Sequence, residues 1–198
     1  MKGILLPVLT FIISISVSAQ GRFMHSVGAT ISVLDGNDKE TDSWGNTTSN
    51  QIMVVQTNVS YFPRYNLLEM PNSSLSVGMP VGAGIGIFEN QEASDVGIGF
   101  AFDIPVVVDY NIGCKSTNSN EKNFGGYFGL GFGYYNVQIK ASQYSNFNGS
   151  TYGPMFRSGI RFGSGSWGGQ AVTFGLFYKM GIEKTKFSTY GANIYLDL

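Results

Sequence analysis

The 198-residue sequence predicts an all-β protein, an eight-stranded antiparallel up-and-down transmembrane β-barrel preceded by a cleaved signal peptide. Three observations point there. Residues 74 to 89, SLSVGMPVGAGIGIFE, set Leu75, Val77, Met79, Val81, Ala83, Ile85 and Ile87 on one face against Ser76, Gly78, Pro80, Gly82, Gly84 and Gly86 on the other. A half-buried strand of a soluble protein turns polar or charged side chains to water, whereas here the second face has lost its bulk. Several such segments run 12 to 17 residues, beyond the five or six usual in soluble proteins and enough for a tilted membrane strand. Charged residues make up 13% of the chain, about half the usual share and too few to cover a soluble exterior.

The amino-terminal stretch MKGILLPVLTFIISISVSAQ carries Lys2, an apolar run to Val17 and the small-residue site Val17-Ser18-Ala19. That pattern marks residues 1–19 as a secretory signal peptide and 20–198 as the barrel domain. The run is short and broken by Pro7, Thr10, Ser14 and Ser16, unlike a membrane helix. No later stretch approaches about 20 uninterrupted apolar residues.

Alternation of period two then recurs at 22–35, 52–62, 74–89, 97–113, 125–140, 153–163, 171–183 and 187–198. Segment 97–113 opposes Ile98, Phe100, Phe102, Ile104, Val106, Val108 and Tyr110 to Gly97, Gly99, Ala101, Asp103, Asp109 and Asn111. Segment 125–140 sets Phe128, Leu130, Phe132 and Tyr134 against Gly129, Gly131 and Gly133. Apolar faces end in Tyr61, Tyr110, Tyr134 and Tyr178, as at an aromatic girdle. In an eight-stranded barrel the lumen is only wide enough for side chains, so glycines there make room for a few long residues. A soluble lipocalin-like carrier of an apolar ligand is the alternative, with the faces reversed. Pro80 and Pro105 fall at one height in the wall if the 89–96 loop is symmetric, which predicts a bulge or widened ladder there.

The stretches SLSVGMPVGAGIG (74–86), FDIPVVVDYNIG (102–113), GGYFGLGFGYY (125–135) and YGANIYLDL (190–198) resemble the PorT-like outer-membrane β-barrel domain family of Bacteroidota. The resemblance implies a barrel embedded in outer-membrane lipid with both termini in the periplasm. It also implies insertion by the barrel-assembly machinery, which reads the last strand; the chain departs from the common terminal Phe with Leu198. It implies no particular activity, although one family member serves a secretion system.

Asp103, Asp109, Arg157, Arg161 and Lys179 all occupy the glycine face, so the sequence predicts a polar network plugging the lumen. Asp103 and Asp109 stand six residues apart on one strand, about 20 Å, too far for a paired acid and base. The polar stretch 36–51 reads as an outward loop in which Asp38, Lys39, Glu40, Asp42 and Trp44 are candidate contact residues. His25, the sole histidine, falls on the apolar face near the wrong end for rim catalysis. Cys114, the sole cysteine, cannot form an internal disulfide. The glycine repeats lack GxGxxG spacing and its helix, so no nucleotide cofactor is implied. A net charge of −1 with scattered cations excludes a nucleic-acid binder. These readings lead to a non-enzymatic outer-membrane barrel with an envelope-structural or surface-contact role. The alternatives are an accessory of secretion or assembly, acting through turns such as 63–73 and 114–124, and the soluble carrier.

Overall fold

The computed structural model describes residues 22–41, 47–90, 95–140, 146–163, 169–182 and 187–198; the side chains of 37–41, 47–52, 88–90, 95–96, 139–140 and 146–148 are outside that description. The predicted signal peptide, Asp42 and Trp44 therefore lie outside the described residues, as do the side chains of Asp38, Lys39 and Glu40.

The strands are β1 (Phe23–Thr41), β2 (Thr47–Met70), β3 (Ser73–Gly78), β4 (Val81–Asn90), β5 (Asp95–Gly113), β6 (Phe124–Lys140), β7 (Asn146–Gly163), β8 (Ala171–Met180) and β9 (Ser188–Asp197). All pairings are antiparallel, and β1 pairs with both β2 and β9, closing the sheet into a ring. β3 and β4 lie end to end, each pairing with β2 and β5. The nine strands therefore build a wall of eight staves, and the eighth pairing removes the free edge that hydrocarbon would penalise.

Paired residues followed round the wall from Val33 pass through Tyr190, Tyr178, Phe156, Leu130, Val108, Val77 and Tyr65 and return to β1 at Phe23, ten residues away. That stagger tilts the strands by roughly 40° and leaves an interior just wide enough for side chains.

The two faces of the wall differ as the alternation requires. Val59, Phe100 and Leu176 are 77%, 70% and 66% exposed on the outside. Ser26, Asn58, Asp109, Arg161 and Lys179 are buried inside. Apolar out and polar in is the arrangement of a lipid-facing barrel and the opposite of a lipocalin.

Two stretches read as connections turn out to be strand. β1 continues to Thr41 and pairs residue by residue with β2 as far as Thr41 and Thr47, so Asp38, Lys39 and Glu40 sit on a ladder rather than in a loop. β2 likewise runs on to Met70 through an irregularity between Asn66 and Leu68, leaving Pro71 and Asn72 as the turn where 63–73 was expected. The ladder is a backbone structure, and alternation marks it only where one face is apolar.

The two prolines do meet at one height. Gly78 pairs with Val107 below them and Gly82 with Asp103 above, in one unbroken register, while pairing lapses between. An added bulge residue would have shifted the register, so the ladder is interrupted, not bulged.

Lumen glycines leave space that neighbours use. A Cβ on Gly28 would lie 1.9 Å from the Ile194 carbonyl oxygen, and one on Gly129 would lie 1.9 Å from Asp109 Oδ1. Gly28→Val is expected to destabilise the barrel by at least about 1–3 kcal/mol through overpacking. Val59→Leu, on the outside, should leave it unchanged. Urea unfolding in phospholipid, read by heat-modifiable mobility on gels, checks both.

Candidate functional site

The lumen is filled in layers. At the end carrying the 42–46 and 91–94 connections, inward residues of β1, β2, β5 and β6 form an apolar layer of Leu34, Val54, Ala101, Tyr135 and Val137, completed by Phe187. Beneath it Lys179, on β8, donates to Asp103 on β5 and lies 5.7 Å from the Tyr135 ring centroid. A second apolar layer follows, made of Phe62, Val107, Met155, Phe177 and Tyr195.

The third layer is charged. Arg157 Nε lies 3.6 Å from Asp109 Oδ1, and the guanidinium stands 4.6 Å from the ring centroids of both Phe62 and Tyr127. Arg161 Nε lies 3.6 Å from Asp197 Oδ2 and its guanidinium 5.0 Å from Tyr127. Asp197 also accepts hydrogen bonds from Ser26 and Thr173. Stacking a cation over an aromatic face recovers part of the attraction lost when water is removed.

The last layer is the β5–β6 turn, folded inward across the barrel end. Its Lys115, Ser116 and Thr117 are buried. Arg64 donates to the Lys115 carbonyl at 2.8 Å and to Asn111 Oδ1 at 3.2 Å; Arg161 donates to the same two oxygens at 3.4 and 2.8 Å. Ser74 Oγ and Asn66 Nδ2 donate to the Ser116 carbonyl at 2.5 and 3.2 Å. The inward fold needs two residues of positive φ, Gly113 at 72° and Lys115 at 52°. A side chain at Gly113 would also meet the Phe124 carbonyl oxygen, 2.5 Å from its Cβ.

The five residues singled out in the sequence thus all lie in the lumen, as the pairs Asp103–Lys179 and Asp109–Arg157 and as Arg161. Asp197, the partner of Arg161, and Arg64, which helps pin the turn, were not among them. Asp197 does alternate with Tyr195 and Asn193 on the inward face, but its partner sits two staves away and is visible only once the ring closes. Arg64 fell in a segment taken for a connection. His25 stands half-exposed on the outer surface, with Tyr61 Oη 3.4 Å from its Nδ1 and Phe23 beside it. Among the described residues no group of three or more His, Cys, Asp or Glu could hold a metal ion. Asp103, Asp109 and Asp197 are each tied to a cation, an arrangement suited to filling space and fixing the staves.

No family model matches the sequence, and no curated protein matches it. Solved structures do. The chain is similar to the outer membrane protein AlkL determined in DMPC lipid bilayers, at 16% identity over 89% of this chain and 88% of that one, with a TM-score of 0.53. This likeness shows the fold. The chain has the fold of the small outer-membrane β-barrels. It is also similar to Ail, the attachment invasion locus protein of Yersinia pestis, at 14% identity over 90% and 99% of the two chains and a TM-score of 0.47. The N-terminal β-barrel domain of Pseudomonas aeruginosa OprF matches at 12% identity over 86% and 99%, with a TM-score of 0.42.

Asp103→Asn leaves the Lys179 ammonium buried without a carboxylate and is expected to cost about 3–5 kcal/mol. Asp103→Asn combined with Lys179→Met removes both charges and should recover most of that loss. A double-mutant cycle by urea unfolding in phospholipid measures it. Cys114, in the turn, is 2% exposed. Burial pushes its thiol above the usual value, with Arg161 opposing the shift. Since the thiolate is the reactive form, maleimide labelling at pH 8 should run at least about tenfold slower in the folded barrel than in urea. Equal rates would show that the turn does not shield the thiol.

Proposed function

We propose that the chain is a non-enzymatic outer-membrane β-barrel with an envelope-structural or surface-contact role, its activity residing on the rim formed by the connections at 42–46, 91–94, 141–145 and 183–186. The single observation that carries this reading is the filled lumen. Two apolar layers, three ion pairs and a turn pinned across one end occupy the interior. What remains for contact is the outside of a rigid cylinder, and function concentrates on loops held by such scaffolds. The apolar outer face supports residence in lipid, and the predicted signal peptide supports export.

The accessory reading, to which the PorT-like resemblance lends itself, draws no support from the turns assigned to it. The β2–β3 turn has two residues, Pro71 and Asn72, and the β5–β6 turn tucks part of its length into the lumen.

Epitope insertion separates the two ends. A tag placed between residues 43 and 45 should be labelled on intact cells, and one between Asn118 and Ser119 only after permeabilisation. The reverse pattern would overturn the assignment of the contact rim. Purified barrel in liposomes should give no swelling in sugar solution, whereas swelling at porin rates would contradict a sealed lumen.

A further inference from the structure

Two backbone hydrogen bonds fix how the groups turn along the β3–β4 stave. Gly113 N donates to Asn72 O at 2.8 Å, toward β5, and Met79 N donates to Pro63 O at 3.0 Å, toward β2. Opposed residues of an antiparallel pair alternate between exchanging both ladder bonds and exchanging none. Counting in twos from Asn72 and Gly113, the bonded pairs are Ser74 with Asn111, Ser76 with Asp109, Gly78 with Val107 and Gly82 with Asp103, and Pro80 with Pro105 occupies the place in that series where a bonded pair would stand. At Pro80 and Pro105 neither residue has an N–H, so each carbonyl oxygen lies opposite a proline ring nitrogen and finds no ladder donor there. The Met79 carbonyl loses its donor in the same way, because it faces Pro63.

What surrounds these oxygens decides what completes them. On the lipid side stand Met79, Ile104 and Val106, which offer nothing polar. On the lumen side Pro80 and Pro105 border a void of ≈ 10 Å³, about the room one water requires. Asn58 and Asn193 also line it, and the Oδ1 of each is buried without a hydrogen-bond donor. Of the cations among the described residues only Arg157 lines it, and its buried Nη2 has no hydrogen-bond partner, so the void offers one free cationic donor beside several acceptors that a water can join. A bound cation would stand close to Arg157, whereas water brings two donors for the carbonyls, accepts from the guanidinium and carries no charge.

We propose that the Pro80–Pro105 seam is a water-binding site built into the barrel wall. Water from the lumen void donates to the two prolyl carbonyls in place of the missing ladder bonds. The β4–β5 ladder consequently opens first at this point, where a hydrogen-bonded bilayer wall is otherwise closed to exchange.

Amide hydrogen exchange of the full mature barrel in phosphatidylcholine nanodiscs, resolved by NMR, tests it. Gly82 and Asp103, which flank the seam, should exchange at least about tenfold faster than Gly131 and Met155, a bonded pair in the β6–β7 ladder. Pro105→Ala supplies a donor to the Pro80 carbonyl and should bring the flanking rates down to those of Gly131 and Met155. Pro80→Ala does the same from the opposite strand and serves if the first variant fails to give the heat-modifiable form. Equal rates in the wild type, or fast rates that neither substitution slows, would overturn the proposal.

Discussion

Everything in this barrel rests on the pairing of β1 with β9. A wall that faces hydrocarbon has no water to satisfy its backbone groups, so every stave must find neighbours on both sides. The β1–β9 ladder, ten pairs from Ser26–Asp197 to Asp35–Ser188, supplies the last of them. Closure with a ten-residue stagger also sets the radius. The radius in turn decides which side chains the interior holds, and so links the backbone constraint to the composition of the inward face.

That face combines two residue types usually discussed apart. Glycine rows provide room, and the room is taken by long cations and the aromatic rings they stack on. Gly175 admits the Tyr127 hydroxyl, 2.1 Å from where a Cβ would lie, and the Tyr127 ring carries both Arg157 and Arg161. Gly129 clears the space occupied by Asp109, the partner of Arg157. Buried ion pairs contribute little net stability once desolvation is counted, yet losing one partner is costly. They therefore act chiefly to fix which stave faces which, while the apolar layers of Leu34 and Phe62 with their neighbours supply the burial that holds the interior together.

The eight transmembrane segments were legible because a membrane barrel imposes period two wherever one face meets lipid. Legibility ended where that demand ended. Beyond Gly36 the sequence follows no apolar alternation, yet the ladder of β1 and β2 continues for five more pairs. The lumen position of Asp103, Asp109, Arg157, Arg161 and Lys179 follows from parity along each strand, which a sequence displays. Their partners do not follow, because Arg161 meets Asp197 and Arg64 meets the Lys115 carbonyl through the curvature of the closed ring. The inward fold of the β5–β6 turn was equally hidden: KSTNSNEKN looks like any solvated turn, and it is the arginines, Asn66 and Ser74, projecting from other staves, that draw its carbonyls inside.

The proline pair shows how far the closure rule can be relaxed. A wall of this kind tolerates a lost rung when the register above and below is held independently, as Gly78–Val107 and Gly82–Asp103 hold it here. A bulge would have rotated one strand's side chains relative to the other and carried lipid-facing residues inward. Interruption without a shift keeps Met79 and Ile104 outward and Gly82 and Asp103 inward across the gap. The cost is confined to backbone polarity at one level, and that level coincides with a void lined by acceptors. A defect at the height of either apolar layer would open onto packed hydrocarbon on both sides, where nothing could solvate it.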